Sequence, residues 1–156
     1  MAKLLDERLI ILDADVSCAE DAINMMASRL EEFGYVEPGY GEMVCEREKT
    51  FPTGLPGKTM AIALPHTNPT LVNKPAIGVI VPRRSVKFKM MGALETELDV
   101  ELIMPLVIKE PNNQLRLLKA MMGVIQDGEL LERIRNSKDK AEIIDCLQVI
   151  EETVED

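Results

Sequence analysis

Two apolar runs that stop at prolines constrain the fold most strongly. Residues 76–81 are continuously apolar and are followed by Pro82, while residues 60–64 are apolar and are followed by Pro65. A continuous apolar run is typical of a strand that is covered on both faces of its sheet. Because proline cannot donate a hydrogen bond to a strand ladder, each strand should end there. The two runs therefore predict buried strands at the centre of the fold.

Helical periodicity precedes these strands. Apolar residues recur at helical spacing over residues 22–33, and Gly34 is expected to end that helix. Ser17 and Glu20 are predicted to form a capping box at its start. A second helix is predicted over residues 40–48. The first third of the chain is thus predicted to be mainly helical.

The last third of the chain is also predicted to be helical. Its first helix has four apolar residues on one face and is expected to stop near Gly128. These four residues are Leu115, Leu118, Met122 and Ile125. A short helix is predicted around residues 130–134, and Ser137 is expected to cap a final helix. The strand-rich middle of the chain is thus predicted to lie between helical ends.

Three further strands are predicted from shorter or interrupted apolar patterns. They occupy residues 9–12, 86–90 and 100–108, and residues 92–99 are expected to form a loop. Pro105 lies inside the last strand, which predicts a bulge or a sheet edge there. Strands between helices indicate an α/β fold. We therefore expect the whole 156-residue chain to form a single-domain sandwich in which α-helices flank a central mixed β-sheet.

Charge and composition argue against several classes of function. The formal net charge of −9 disfavours non-specific binding to nucleic acids or anionic membranes. No run reaches the roughly 18 apolar residues of a membrane span, and charges interrupt the N-terminus where a signal peptide would need an apolar core. Three widely spaced cysteines and one histidine predict free thiols and no histidine-rich metal site. We expect a cytoplasmic protein.

His66, the only histidine, is the first candidate for a functional residue. It follows the predicted strand at residues 60–64, and ligand sites in open α/β sheets form at the carboxyl ends of strands. The turn-rich segment TGLPG at residues 53–57 can direct backbone N–H groups at an anion, and Arg47 precedes it near a helix end. The alternatives are a structural histidine with satisfied ring nitrogens and an arginine in solvent.

Three segments in the middle of the chain resemble the signature of a known family. They are ERE at residues 46–48, TG at residues 53–54 and AIALPH at residues 61–66. Their spacing resembles the fructose/mannitol-type (type 2) enzyme IIA domain of the bacterial sugar phosphotransferase system, and the resemblance extends over nearly the whole chain. The FPTG form at residues 51–54 and QLRLL at residues 114–118 are most similar to the galactitol-specific branch. The resemblance implies the fold of that family and a phosphotransferase of sugar uptake.

The resemblance also implies a relay of phosphoryl groups between proteins. His66 would accept a phosphoryl group from the histidine phosphocarrier protein HPr and pass it to a cysteine of a IIB subunit, while the membrane subunit IIC takes part only indirectly. Imidazole suits this task, because its pKa of about 6.5 leaves a neutral nucleophilic nitrogen at the pH of the cell. No metal or cofactor is needed when the donor already carries an activated phosphoryl group.

Arg47, Thr53 and Gln114 complete the candidate site. A phosphorylated ring carries roughly two negative charges, which the planar guanidinium of Arg47 is suited to bind. Thr53 is expected to orient either the ring or the phosphoryl group. Many relatives have a second histidine at the start of the first C-terminal helix, where this chain has Gln114, which can donate a hydrogen bond but supplies no full charge. An apolar docking rim near His66 is expected from Leu55, Leu64 and Leu71.

Two other functions stay open at this point. The first is a regulatory module of the same fold, in which phosphorylation of His66 switches an interaction instead of feeding transport. The second is a purely structural partner protein. The transported sugar, the oligomeric state and the phosphorylated ring nitrogen do not follow from the sequence pattern.

Overall fold

The computed structural model describes residues 4–154, except for the side chains of residues 111, 113 and 151–154. Its strands are β1 (Ile10–Ala14), β2 (Gly54–Pro56), β3 (Ala61–Ala63), β4 (Ala76–Ile77), β5 (Val79–Pro82), β6 (Val86–Met90), β7 (Ala93–Ile103) and β8 (Leu106–Val107). Its helices are α1 (Ala19–Glu32), α2 (Tyr40–Thr50), α3 (Pro111–Ile125), α4 (Gly128–Asn136) and α5 (Lys140–Val154). No helix in this part of the chain is long and apolar enough to cross a membrane.

Six of the described strands form a mixed sheet in the spatial order β1-β5-β7-β3-β2-β6. β1 is parallel to β5, and β3 is parallel to β7. β5 and β6 are both antiparallel to β7, and β2 is antiparallel to β3. The short strands β4 and β8 form a separate antiparallel pair. This mixed sheet, flanked by helices, confirms the predicted fold class.

Apolar side chains cover both faces of the sheet, as the continuous apolar runs predicted. Ile62 and Leu64 pack in one core cluster with residues of α3, α4 and α5. Between them in sequence, Ala63 packs in a second cluster with residues of α1 and α2. All three residues are completely buried. Because successive side chains of a strand point to opposite faces, the two clusters lie on opposite sides of the sheet.

Two predicted strands are each divided in two, one by Gly78 alone and the other by Met104 and Pro105. Residues 76–81 are divided at Gly78, whose N–H donates to the carbonyl of Pro105 at 2.9 Å. A β-carbon at Gly78 would lie 2.7 Å from Cε of Met26 in α1, so a larger residue would require the Met26 side chain to move. Residues 100–108 are divided at Pro105, after which β8 pairs with β4. Pro105 thus interrupts the ladder as expected, but the chain continues in a second, smaller sheet.

The loop predicted at residues 92–99 is wrong, because residues 93–99 form the first part of β7. A tight turn with Gly92 at φ +78° connects this strand to β6. Opposite charges face each other across the pair, and Nζ of Lys87 lies 2.7 Å from Oδ1 of Asp99. The charged sequence conceals the strand, because this part of β7 is stabilised by cross-strand pairing more than by burial.

The buried face of helix α3 matches the predicted face only in part, since Ile125 is buried as predicted and Leu118 packs partly against the core. Leu117 and Met121 are buried, whereas Leu115 and Met122 are 62% and 43% exposed. Leu118, also on the predicted face, is half-buried and lines the cavity described below. The helix is apolar on more than one side, so periodicity alone does not select the side that packs on the sheet.

The predicted start of α1 is also wrong. The Ser17 hydroxyl donates to the carboxylate of Asp21 at 2.8 Å, so it forms no capping box with Glu20. Cys18 occupies the N-cap position. The predicted end is confirmed, since Gly34 has φ +79° directly after the helix.

One boundary among the C-terminal helices differs from the prediction as well. Helix α3 ends at Ile125, near Gly128 as predicted, and Gly128 is the first residue of α4, after Asp127 as the N-cap. At the start of α5 the carboxylate of Asp139 accepts a hydrogen bond from the Ala141 N–H at 3.0 Å. Ser137 instead accepts from the N–H of Asp139. Several neighbouring polar side chains can cap each helix, and the chain geometry selects among them.

Candidate active site

One cavity of about 590 Å³ is lined by all four residues predicted to form the site. His66 follows β3, Arg47 lies in the last turn of α2, and Thr53 directly precedes β2. Gln114 lies in the first turn of α3. The turn between β6 and β7, which includes Met91, completes the wall. Residues from four separate segments, 47–53, 66, 91–95 and 114–118, are thus brought together by the fold.

His66 is held by a short hydrogen bond at its Nδ1 atom. This atom lies 2.7 Å from the backbone carbonyl oxygen of Leu64, and the side chain is only 5% exposed. A carbonyl oxygen can only accept, so Nδ1 carries the ring proton in the neutral form and Nε2 keeps its lone pair. Among the described residues Nε2 has no hydrogen-bond partner. A purely structural histidine would have both ring nitrogens satisfied. In His66 the described part of the chain satisfies Nδ1 only, and Nε2 is available for chemistry.

The pKa of His66 is lowered below its ordinary value of 6.5. Burial is the main cause, because it disfavours the charged ring, and the positive charge of Arg47 acts in the same direction. The hydrogen bond to Leu64 opposes both effects. At neutral pH the ring is therefore uncharged and Nε2 is a nucleophile.

Arg47 has an unused hydrogen-bond donor. Its Nε atom is buried, and no partner for it exists among the described residues. Its guanidinium carbon lies 5.2 Å from the centre of the Phe51 ring. A buried donor without a partner costs about 1–3 kcal/mol. An anion in the cavity would satisfy this donor. Because Nε is buried, Arg47 is not the fully solvent-exposed arginine of the alternative interpretation.

The donors of Thr53 are already used within the protein. Its backbone N–H and its hydroxyl donate to the two carboxylate oxygens of Glu48 at 2.8 and 2.9 Å. The next residue, Gly54, belongs to β2 and pairs with Ala63 of β3. The predicted anion-binding loop at residues 53–57 is therefore wrong, because pairing with β3 makes most of it a strand.

Sequence reasoning missed Glu48 and the residues around the cavity mouth. Glu48 belongs to the ERE segment, but nothing in that segment indicated its contacts with Thr53. Phe51, Met91 and Leu94 line the cavity and are 60%, 40% and 45% exposed. These three residues are named the apolar rim below. Two of them lie near a hairpin turn distant in sequence from His66, so no local pattern connects them to it.

The rim predicted from Leu55, Leu64 and Leu71 is wrong. Leu64 is completely buried, and Leu55 and Leu71 are partly buried against the two core clusters. None of the three lines the cavity. Strand pairing turns Leu55 and Leu64 towards the core on the side of α3–α5, away from the mouth.

A larger and more open groove of about 840 Å³ lies elsewhere. It is lined by residues of the β2–β3 turn, the end of α3 and the start of α4, and it mixes both signs of charge. Its charged residues are Lys58, Asp127, Glu129, Glu132 and Arg133. No histidine or cysteine is among the described residues that line it, so the cavity around His66 stays the candidate site.

Comparison with known proteins identifies the family. The sequence model of the family described as "Phosphoenolpyruvate-dependent sugar phosphotransferase system, EIIA 2" matches residues 3–149. The chain is similar to the galactitol-specific EIIA component of Escherichia coli (strain K12), with 29% identity over 101 residues, which is 65% of this chain and 67% of that protein.

Two solved structures share the fold. The crystal structure of IIA mannitol from Escherichia coli has a TM-score of 0.75 and 24% identity, covering 92% of this chain and 98% of that one. The solution structure of a complex of enzyme IIA and phosphorylated enzyme IIB for mannitol, also from Escherichia coli, contains a chain with a TM-score of 0.75 and 24% identity, covering 96% and 99%. The family match over most of the chain, with this fold, shows that the protein belongs to the type 2 EIIA family of the phosphoenolpyruvate-dependent sugar phosphotransferase system and is a phosphotransferase component of sugar uptake.

Proposed function

We propose that Nε2 of His66 carries the phosphoryl group, which it accepts from phosphohistidine of HPr and passes to a cysteine thiolate of a IIB subunit. The observation that supports this proposal is that one cavity contains two groups without a hydrogen-bond partner among the described residues. Nε2 is the ring nitrogen that the Leu64 carbonyl does not occupy, and Nε of Arg47 is a buried donor without a partner. A nucleophile beside a cationic donor suits transfer of an anionic group.

In the first step the lone pair of Nε2 attacks phosphorus while the bond from phosphorus to the donor nitrogen breaks. The electron pair of that bond returns to the imidazole of the donor. The ring of His66 becomes more positive, and the hydrogen bond from Nδ1 to the Leu64 carbonyl stabilises this charge. Arg47 binds the phosphoryl oxygens. Neither step requires a metal or another cofactor.

In the second step a thiolate attacks phosphorus and the bond to Nε2 breaks. The electron pair returns to Nε2, which restores the neutral ring with its proton on Nδ1. Gln114 can donate a hydrogen bond to the transferring group but adds no charge. Thr53 supports the site through Glu48, since its own donors are occupied.

Similarity to the galactitol-specific components supports galactitol as the transported sugar. The solved complex of a similar IIA domain with phosphorylated IIB supports a IIB acceptor. This relay places the protein in the cytoplasm, with IIC reached only through IIB. A regulatory module of the same fold would also be phosphorylated at His66 but would not pass the group on.

Phosphorylation can be tested with phosphoenolpyruvate, enzyme I and HPr, followed by mass spectrometry of the intact protein. We expect one acid-labile phosphoryl group that is absent from His66→Ala, with the fold of that variant checked by circular dichroism. Coupling between ³¹P and the ring nuclei should assign it to Nε2. An acid-stable phosphate that persists in His66→Ala would contradict the proposal.

The acceptor can be tested by adding IIB, IIC and galactitol separately. Transfer to IIB should occur without sugar and should vanish when the IIB cysteine is replaced by serine. Phosphorylation by HPr without transfer to IIB would favour the regulatory alternative. Phosphorylation of free sugar in the absence of IIB would contradict the relay.

A further inference from the structure

We propose that Glu48 is a positioning residue that fixes the imidazole of His66 relative to Arg47. Glu48 acts on His66 through hydrogen bonds of Thr53 and Leu64, and it does not itself touch the transferring group. The consequence for transfer rests on the proposed function of His66. The positioning itself is a property of the resting protein and can be measured without any phosphoryl donor.

The first contact joins α2 to the segment before β2. Both carboxylate oxygens of Glu48 accept from Thr53, one from the backbone N–H at 2.8 Å and one from the hydroxyl at 2.9 Å. A two-point contact fixes the peptide of Thr53 as well as its side chain. Burial raises the pKa of Glu48, and the two hydrogen bonds and Arg47 oppose that effect. The carboxylate of Glu48 therefore needs these partners to stay charged in its buried position.

The next contacts join Thr53 to His66. The carbonyl of Thr53 accepts from the N–H of Leu64 at 3.4 Å, and the carbonyl of Leu64 lies 2.7 Å from Nδ1 of His66. Leu64 is completely buried, so water cannot easily replace either of its backbone contacts. A shift of Thr53 therefore acts on the N–H side of Leu64 and reaches, through the buried backbone of that residue, the carbonyl that orients the ring and selects its tautomer.

Glu48 and Arg47 are adjacent in the last turn of α2. This turn therefore supplies the cation that faces the phosphoryl group and the carboxylate that positions the nucleophile. Reaction requires a fixed distance and orientation between the attacking nitrogen and the donor that binds the phosphoryl group, and a misplacement of about 1 Å can cost about 100-fold in rate. Because Arg47 and Glu48 are neighbours on one rigid helix, a single element sets both positions.

The test compares Glu48→Gln with Glu46→Gln. The amide that replaces the carboxylate in Glu48→Gln can accept only one of the two hydrogen bonds, whereas Glu46 is an exposed residue of the same helix that pairs with Lys49 at 3.3 Å. Because His66 is the only histidine, ¹⁵N NMR of the ring reports it without overlap. We expect Glu48→Gln to weaken the Nδ1–H signal and mix the two tautomers, and Glu46→Gln to leave both unchanged.

In the transfer assay Glu48→Gln should lower kcat by about 10- to 100-fold with little change in the KM for HPr. Thr53→Val, which removes the hydroxyl but keeps the N–H, should have a smaller effect of the same kind. If Glu48→Gln does not fold, Thr53→Val tests the positioning role in its place, with Glu46→Gln as the control.

The two proposals fail in different ways. An unchanged ring spectrum and unchanged kcat in Glu48→Gln, or in Thr53→Val where Glu48→Gln does not fold, would overturn the positioning role while leaving phosphorylation of His66 intact. A wild-type protein that is never phosphorylated would overturn the proposed function, while the ring spectrum would still report whether Glu48 positions His66.

Discussion

At the scale of single residues, one hydrogen bond determines the chemistry of His66. The Leu64 carbonyl holds the proton on Nδ1, and burial keeps the ring neutral by lowering its pKa. These two effects provide a nucleophile of fixed orientation at neutral pH. Arg47 and Gln114 line the same cavity and differ in charge, so they should contribute unequally.

Arg47→Ala should slow phosphoryl transfer by about 100-fold or more, by analogy with the loss of an oxyanion donor. Gln114→Ala should slow it less, because glutamine contributes no full charge. Arg47→Ala should leave the fold intact, because the loss of its contacts with Phe51 and Glu48 is opposed by the removal of a buried donor without a partner in the described part of the chain. Single-turnover transfer from phospho-HPr and urea unfolding measure both effects. Near-normal transfer in Arg47→Ala would assign that residue to the surface.

The lowered pKa of His66 predicts the direction in which the stability of the fold changes with pH. Its pKa is below 6.5 in the folded protein, so the unfolded chain binds more protons as the pH falls from 6.5 to the folded value. The contribution of His66 to stability should therefore be fully present above pH 6.5 and lost progressively below it. NMR titration of the ring gives the folded pKa directly. His66→Gln should remove this part of the pH dependence in urea unfolding, and a folded pKa above 6.5 would contradict the prediction.

At the scale of elements, helix α3 contributes to both the core and the cavity. One side packs on the sheet through Leu117 and Met121, and its first turn brings Gln114 to the cavity. The hairpin of β6 and β7 likewise joins the sheet and places Met91 and Leu94 at the cavity mouth. Both elements connect the core to the cavity around His66.

Two adjacent methionines test the orientation of α3. Met121 is completely buried and Met122 is 43% exposed. Met121→Ala should lower the free energy of unfolding by about 2–5 kcal/mol, because it leaves a cavity in the core. Met122→Ala should change it by no more than about 0.5 kcal/mol. Urea unfolding of both variants measures the difference, and equal losses would mean that the helix is rotated from the orientation described.

At the scale of the whole molecule, the net charge of −9 must be compatible with docking of other proteins at the cavity. His66 is only 5% exposed, so a partner must approach closely to reach it. The apolar rim of Phe51, Met91 and Leu94 supplies uncharged surface at the cavity, and Glu95 adds one exposed carboxylate beside it. The uncharged rim limits the repulsion of an approaching phosphoprotein.

A charge on this rim should therefore weaken docking. Leu94→Glu should raise the KM for phospho-HPr by about 10-fold or more, since an unpaired charge would be buried on association. Met122→Glu places the same charge at a site of similar exposure that does not line the cavity, and it should have little effect. The ring spectrum of His66 should be unchanged in both variants. Equal KM values for the two would show that the rim does not take part in docking.

Local chemistry was sufficient to predict the class of fold and to select the residues that the fold brings to one cavity. Prolines stop strands wherever they occur, and continuous apolar runs need cover on both faces, so the buried sheet followed from short segments. The single histidine after Pro65 and the arginine in the ERE segment also followed from position and chemistry, and the fold brought both to one cavity with Thr53 and Gln114.

The remaining features depended on contacts between distant segments. The charged half of β7 is a strand because β6 pairs with it, and residues 54–56 are a strand because β3 pairs with them. The buried face of α3 depends on which side the sheet occupies, and the Leu64 carbonyl determines which nitrogen of His66 is free. Pairing partners, packing faces and ring tautomers are properties of the assembled fold, because each depends on groups that become neighbours only when the chain has folded.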